Sequence, residues 1–444
     1  MIKILNIFIL STFITFSQTS AKKIFSLAEC LQTAATKNYD IIFSEAQTVA
    51  KGYELINAFG NYLPNVNFNT GYSRTLNPDG SKSVNVGGVF IETPGQNPNS
   101  YYMQAQASLT IFDGFGREAR YSRVKNNLEA SVENVKYVSQ SVALQIYRAY
   151  IDVVKASQIV KIRREDLLQA NKVLDQIKSY HQAGSIAINE IYSQEATIGE
   201  KEIEIIKSEN LHKIAKAKLL TIMGLAPEID ADFQESNIPS FVSDEDIKFF
   251  RQDVGTINAA FNLAMSNRSD YKSTNFSLTA AESGVQSVRS EYYPSLTAAG
   301  GWSWNNNQFA DFSTYGRSYI SLNLNIPIFS NFANDYTVEN AKLAYQQVEI
   351  QKYRLEQQIK TEVQNAFLNL ESAEKQIEIS KRAVKSAELN YESSKERYGV
   401  GSTTITELTL ANTQYVTAQI NRVGAFYDYI LSQRELQFAI GILK

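Results

Sequence analysis

Two long stretches of this 444-residue chain contain neither glycine nor proline. They span residues 117–183 (67 residues) and 331–398 (68 residues). Because glycine and proline are the residues that most disfavour helix interiors, their absence favours unbroken helices. Between Val124 and Val153, apolar residues recur every three or four positions, close to coiled-coil spacing. A helix of this length would measure about 100 Å, so an elongated fold is expected.

The two stretches belong to an internal duplication. Pro64 and Gly71 match Pro294 and Gly301 at an offset of 230 residues. Later matches keep an offset of 217: Phe112/Phe329, Gly184/Gly401, Glu190/Glu407 and Gly224/Gly441. The first copy is therefore longer between Ser73 and Phe112. We predict a signal peptide (1–21), a first repeat (22–224), a linker or equatorial segment (225–255) and a second repeat (256–444). Each repeat has the order helix, two strands, long helix, helix.

Four segments alternate between apolar and polar residues, as half-buried strands do. They lie at 66–72, 103–111, 296–305 and 320–328, in pairs joined by polar loops. Their polar positions are almost uncharged, which suits a wall with lipid outside and water inside. A soluble sheet with one wet face is the alternative. Four strands cannot close a barrel, so several copies must share one: two copies would supply 8 strands and three would supply 12.

The start of the chain is typical of an export signal. Lys3 precedes the apolar run ILNIFILSTFITF at 4–16, with a cleavage site expected near Ala21. A buried first strand or an uncleaved anchor is the alternative interpretation. The rest of the chain has no run of 18 apolar residues, so membrane insertion through an α-helix is not expected.

The composition argues against enzymes and nucleic-acid-binding proteins. His181, His212 and Cys30 are the only histidines and cysteine, too few for a metal cluster or a disulfide. The acidic residues follow helical spacing, which usually indicates a solvated helix face. A net charge of −3 does not favour a nucleic-acid partner. We expect no catalytic site and no cofactor.

In their order and spacing, several motifs resemble those of the TolC-like outer-membrane efflux and secretion channels. They are FSLAECLQTAATKNYDI (25–41), TIFDGFGREAR (110–120), RYGVGSTTITELTLANT (397–413) and its echo YHQAGSIAINEIYSQEA (180–196). The resemblance covers essentially all of the mature chain. It implies a mainly α fold with a membrane β-barrel: a homotrimer with twelve strands in the outer membrane and a coiled-coil tunnel extending into the periplasm. The implied partners are outer-membrane lipid, a periplasmic adaptor and an inner-membrane pump of RND or ABC type.

The resemblance also suggests where the tunnel closes. By position, Tyr398 and Glu190 match a tyrosine and an acid that hold neighbouring coils together, and Glu407 matches an acid that narrows the pore. Thr403 and Leu410 depart from the family pattern, since they replace a linking arginine and a second acid. Three-fold crowding of Glu190 and Glu407 would favour cations and raise some of their pKa values. Alternatively, both are ordinary solvated acids near helix N-termini.

Other positions have expected structural roles. Gly184 and Gly401 are expected to end the long helices at the tip turns. Pro64 and Pro294 are expected to precede the first strand of each pair, and Phe115 and Phe332 to pack in the core where strands meet helices.

The function implied is conduction of substrates from an adaptor and pump to the outside, in efflux or type I secretion. A periplasmic coiled-coil scaffold would not need four alternating strands. A passive porin or adhesin would need more strands in a single chain and no 67-residue helix.

Overall fold

The computed structural model describes residues 23–76, 78, 80–93, 95, 97–235 and 243–443. The predicted signal peptide (1–21) lies outside these residues. Two helices dominate the fold: α3 (Gly116–Gln182) and α9 (Ala333–Gly399), each of 67 residues. Each helix coincides closely with one of the two stretches that lack glycine and proline. The prediction of two very long helices is confirmed.

The shorter helices repeat one order in each half of the chain. They are α1 (Leu27–Lys37), α2 (Tyr39–Gly60) and α4 (Ile188–Ile222), then α6 (Ile257–Asn267), α7 (Ser269–Arg289) and α10 (Ile405–Ala439). Two more, α5 (Asp244–Val254) and α8 (Phe312–Tyr315), lie outside the repeated pattern. The 225–255 segment contains α5 and part of a small sheet, so it carries structure of its own.

A four-stranded antiparallel sheet is built from both repeats. Its strands are β2 (Asn65–Arg74), β5 (Asn99–Phe112), β7 (Ser295–Asn306) and β8 (Gly316–Asn325), in the order β2-β5-β7-β8. The four predicted strands are confirmed, but the predicted bounds of two are wrong. β5 starts before residue 103, and β8 starts before residue 320 and ends before 328. Pro327 has no N–H to donate to a ladder, which explains the earlier end.

Two small sheets complete the strands. β1 (Lys23–Phe25) pairs in parallel with β6 (Ala231–Phe233), and β3 (Lys82–Val86) pairs with β4 (Val89–Thr93). The β3–β4 hairpin lies in the predicted polar loop between β2 and β5. Its turn residues Gly87 and Gly88 both have positive φ, as a two-residue hairpin turn requires. The hairpin accounts for the extra length of the first repeat.

The short helices stack end to end beside the long one. Asn38, with extended backbone, separates α1 from α2, so two helices lie where the predicted repeat order has one. The Asn38 side chain caps α2 by accepting from the N–H of Asp40 at 2.9 Å. Its amide also donates to the carbonyl of Ile222, at the end of α4, at 2.8 Å. One asparagine therefore joins two helices.

A glycine allows this junction to close. Gly224 follows α4 with a φ of +72°, and a Cβ atom there would lie 2.1 Å from the carbonyl oxygen of Lys37. In the second repeat Gly441 follows α10 with a φ of +75°, and a Cβ would lie 2.8 Å from the backbone nitrogen of Arg268. Both repeats therefore need glycine at the end of the last helix.

The second junction uses a buried charge instead of an amide. Arg268 is only 2% exposed and stands at the position that Asn38 has in the first repeat. Its guanidinium donates to Asp270 at 3.0 and 2.7 Å, to Glu362 on α9 at 2.6 Å and to the carbonyl of Ala439 at 3.3 Å. Arg268 thus connects α7, α9 and α10.

Two large buried clusters lie at these junctions. The first joins α1, α3, α4 and α10 to the β1–β6 sheet, and it includes Ile146, Leu220 and Phe233. The second joins α6, α9 and α10 and includes Ile359 and Leu436. The packed core therefore lies around the helix junctions, away from the four-stranded sheet.

Replacement of Arg268 by methionine should destabilise the fold strongly. Asp270 and Glu362 would lose their buried partner, and breaking such a pair costs about 3–5 kcal/mol. Arg382→Met is the matched control, because Arg382 and its partner Glu378 are 73% and 75% exposed and 3.8 Å apart. An exposed pair of this kind contributes little. The stability of both variants is measured by urea unfolding, monitored by circular dichroism. Equal unfolding midpoints would contradict the role of Arg268 as the buried partner of the two carboxylates.

Candidate functional site

The far ends of the long helices form the first part of the candidate site. After α3, Gly184 has a φ of +72° and donates to His181, while Ser185 donates to Tyr180, both at 2.9 Å. After α9, Gly401 (φ +73°) and Ser402 make the equivalent bonds at 3.0 and 2.9 Å. These bond pairs are the Schellman arrangement, which requires a left-handed residue and therefore favours glycine. Gly184 and Gly401 lie at the ends of the long helices, where the sequence predicts them.

The two predicted acids lie in the first turns of the next helices, Glu190 in α4 and Glu407 in α10. Thr404 caps α10 by accepting a hydrogen bond from the Glu407 N–H at 3.3 Å. Negative charge is favoured here by the helix dipole. The duplication thus places one carboxylate just beyond each tip turn.

Glu407 has close partners within its own protomer. The Thr403 hydroxyl donates to its carboxylate, and Arg397 lies 3.3 Å from it. The hydrogen bond from Thr403, followed by the positive charge of Arg397, lowers the pKa of Glu407 below its ordinary value. Crowding of these acids between copies, as inferred from the sequence, would instead raise such pKa values. Neighbouring copies would raise the pKa of Glu407 above its ordinary value only if their effect exceeded that of Thr403 and Arg397 within the protomer.

Tyr398 lies beneath the tip and is only 8% exposed. It packs with a cluster formed by Leu174, Ile177, Ile191 and Leu408, in which all four tip helices meet. Its hydroxyl makes no hydrogen bond to any described residue. Burial, followed by the negative charge of Glu190, raises its pKa. The structure thus brings the tyrosine near the predicted acid but shows no direct link.

A polar link that sequence analysis misses lies nearby. Asp166 on α3 is buried, and both its oxygens accept hydrogen bonds from Lys201 on α4, at 2.7 and 2.6 Å. Asn412 on α10 donates to the same carboxylate at 2.6 Å. This network joins the helical hairpins of the two repeats. Nothing in the local pattern distinguishes Asp166 from the solvated acids around it.

The sheet forms the second part of the candidate site. Asn65, Asn67 and Asn69 of β2 pair with Ser108, Gln106 and Gln104 of β5. Neighbouring side chains bond along each strand, Asn67 to Asn65 at 2.9 Å and Gln104 to Gln106 at 3.5 Å. These amides share one face of the sheet, so that face is polar and nearly uncharged.

Tyrosines on this polar face lie flat over glycines. A Cβ atom on Gly71 would meet the ring of Tyr102 at 2.4 Å, and one on Gly301 would meet the ring of Tyr319 at 3.0 Å. The two glycines are equivalent in the duplication. Because glycine has no side chain, the tyrosine ring of the neighbouring strand can lie against the sheet at this point instead of projecting from it.

The opposite face is apolar and exposed. Its outer strands carry Val66, Phe68, Ile320, Leu322 and Leu324, with Ile320 as much as 91% exposed. A contiguous exposed apolar patch on a protomer indicates an interaction surface or a lipid contact. The described part of the chain contains no helix long and apolar enough to cross a bilayer.

Aromatic residues mark both ends of the sheet. At the end away from the helices, Trp304 packs with Phe309 and Phe312 at centroid distances of 5.8 and 4.5 Å. At the helix end, Phe115 and Phe332 are 69% and 70% exposed, with φ values of +65° and +62°. The expectation that these two phenylalanines pack in the core is therefore wrong. The left-handed turn that starts each long helix directs the ring outward.

Prolines and acids complete the strand ends. Pro64 and Pro294 each directly precede a strand, β2 and β7. After β5, Asp113 pairs with Arg120 at 2.5 Å and with Arg117 at 3.7 Å. These contacts hold the turn from strand to long helix.

Among the described residues, no group of three His, Cys, Asp or Glu side chains is placed to hold a metal.

Comparison with known proteins gives one consistent result. The TolC outer membrane protein of Vibrio cholerae is 23% identical over 449 residues, covering 100% of this chain and 96% of that protein. The pyoverdine export outer membrane protein OpmQ of Pseudomonas aeruginosa is 24% identical over 428 residues, covering 94% and 84%. The crystal structure of VceC from Vibrio cholerae has a TM-score of 0.77 at 15% identity, covering 94% and 96%.

The same result comes from a family-wide comparison. The family described as outer membrane efflux protein matches residues 31–225 and 260–442, which fall in the first and second repeats. Because the match extends over most of the chain, this protein belongs to the outer membrane efflux protein family.

Proposed function

We propose that three copies of this protein close one 12-stranded barrel in the outer membrane, continued by a helical tunnel. The observation that carries the proposal is an open four-stranded sheet with one exposed apolar face and one uncharged polar face. Its outer strands, β2 and β8, each have 10 residues and run in opposite directions. Copies arranged head to tail can therefore pair β2 of one with β8 of the next in antiparallel fashion.

The membrane requires this closure. Unpaired backbone groups in a bilayer cost several kcal/mol each, and an open sheet leaves two rows of them. Strands of about 9–11 residues are long enough to cross a bilayer when tilted. Aromatic residues at both ends of the sheet match the two interfaces of such a crossing.

Three copies suit a conduit better than two. Eight-stranded barrels have an interior that side chains fill or that holds one small ligand. Twelve strands give a wider lumen, and the polar amide face would line it. The family resemblance also implies a trimer.

The protein is an outer membrane efflux channel by family, and its finer role is part of the proposal. We infer that it receives substrates from a periplasmic adaptor and an inner-membrane pump, of RND or ABC type, at the helical tip. OpmQ is named for pyoverdine export, and other relatives are named TolC. A coiled-coil scaffold or an adhesin would not require an exposed aliphatic face of Ile320, Leu322 and Leu324 opposite an amide face.

We also propose that the tip is the gate. Glu190 and Glu407, repeated three-fold, would ring the periplasmic entrance. Tyr398 and the network of Asp166, Lys201 and Asn412 would hold the helical hairpins together beneath it. The two helical pairs meet at this buried polar network, so separating them would expose or unpair Asp166.

A charge on the apolar face should block membrane assembly. Leu322→Arg is expected to destabilise the folded protein in lipid by about 2 kcal/mol or more, because the side chain would face hydrocarbon. Asn323→Arg, one residue along the same strand, puts the same charge in the wet lumen and should have little effect. The yield of heat-labile trimer after folding into vesicles measures both. Equal yields would contradict the assignment of the two faces.

Removal of the Glu407 charge should reduce cation selectivity and divalent-cation block in single-channel recordings. Glu407→Gln tests this, with the exposed Glu378→Gln as control. Because the pKa of Glu407 is lowered, its charge and its effect should persist as the pH falls through 4.5 and be lost only below that value. Thr403→Val removes the largest cause of the lowering and should shift the loss upward. Unchanged selectivity in Glu407→Gln would exclude the acid ring.

A further inference from the structure

One charged side chain lies on the otherwise uncharged face of the sheet. Arg317 is the second residue of β8 and pairs with Ser303 of β7. Ser303 pairs in turn with Gln104 of β5, which pairs with Asn69 of β2. Paired residues in antiparallel strands share a face, so Arg317 stands in the same row as the amides that line the polar wall.

Arg317 is the only charged residue of the four strands that lies on this polar face. The strands β2, β5, β7 and β8 contain two charged residues, Arg74 and Arg317. Arg74 follows Tyr72 in the alternation of β2 and therefore lies on the apolar face. The alternating pattern of the last strand begins only at Ile320, so the sequence does not place Arg317 on this face.

Nothing in the described part of the protomer neutralises this charge. Arg317 is exposed, and its side chain makes no ion pair and no hydrogen bond with any described residue. Its chain neighbours are Gly316 and Ser318, and its cross-strand partner is Ser303. The surrounding row offers only neutral hydroxyl and amide groups, so the guanidinium remains available to a solute.

Its place in the sheet is also informative. The helices join the sheet at the ends of β2 and β7 that begin with Asn65 and Ser295, and Arg317 lies near the opposite end. Glu190 and Glu407 lie beyond the other end of the molecule, at the tips of the long helices. Arg317 and the two predicted tip acids therefore lie at opposite ends of the molecule and have opposite charges.

We propose that three copies of Arg317 form an anion-attracting ring inside the barrel, near its outer mouth. The inference rests on the proposed trimeric channel. The ring fits small solutes that carry carboxylate or phosphate groups, since a guanidinium binds both through paired N–H donors. Rings of Arg or Lys are the arrangement that favours anions in pores. The ring would counteract the cation preference set at the tip and draw anionic cargo toward the exit.

The test is the permeability ratio of K⁺ to Cl⁻, from reversal potentials of full-length channels in planar bilayers under a KCl gradient. At about 0.01 M salt the Debye length is about 30 Å, so a ring on the wall acts across the lumen. Arg317→Gln should raise the ratio about threefold or more at low salt, since removing three like charges from the lumen weakens both the repulsion of K⁺ and the attraction of Cl⁻. The difference should disappear at about 1 M salt, where the Debye length is about 3 Å.

Two variants serve as controls. Arg74→Gln removes the same charge from the apolar face, outside the lumen, and should change the ratio much less than Arg317→Gln does. Arg317→Lys keeps the charge and should retain the wild-type ratio, which a purely structural role of arginine would not predict. An unchanged ratio in Arg317→Gln at low salt, in channels that conduct, would overturn the ring and leave the channel intact. Absence of any conductance from the wild-type protein would overturn the proposed function and the ring with it.

Discussion

Backbone hydrogen bonding at the two outer strands, β2 and β8, is the main constraint on the architecture. A sheet that exposes aliphatic side chains on one face belongs in lipid, where no water can satisfy its edges. The protomer cannot satisfy them alone, because its four strands leave both edges open. The proposed association of copies would satisfy both edges, and closing the sheet with its polar face inward would leave a water-filled passage.

The helices are subject to a second constraint, because each long helix must be matched in length by shorter helices packed beside it. Helices of 22 and 35 residues stack end to end beside one of 67. Each junction needs a polar group to satisfy the exposed helix ends. The first repeat uses the amide of Asn38, whereas the second uses the buried guanidinium of Arg268 with its two carboxylates. A duplicated fold has thus kept its geometry while changing the chemistry of its junction.

Much of the fold could be predicted because its signals are local and repeated. The absence of glycine and proline predicts α3 and α9, Gly184 and Gly401 predict their ends, and alternation predicts the four strands. The exposed position of Phe115 and the pairing of Asp166 could not be predicted in this way. Both depend on how neighbouring helices and strands are oriented in space. The local sequence pattern around a residue carries no information on that orientation.

The duplication, the long helices, the alternating strands and the tip turns can be read from the amino-acid sequence, because they follow from repeated residues, from periodicity or from the backbone limits of glycine and proline. The contacts between residues of the two repeats are established in the folded protein. The tertiary structure placed Asn412 on Asp166, and the guanidinium of Arg268 between three helices. It also extended β8 to include Arg317 on the polar face. Such contacts join residues up to hundreds of positions apart, and side-chain packing between elements, not local propensity, selects them.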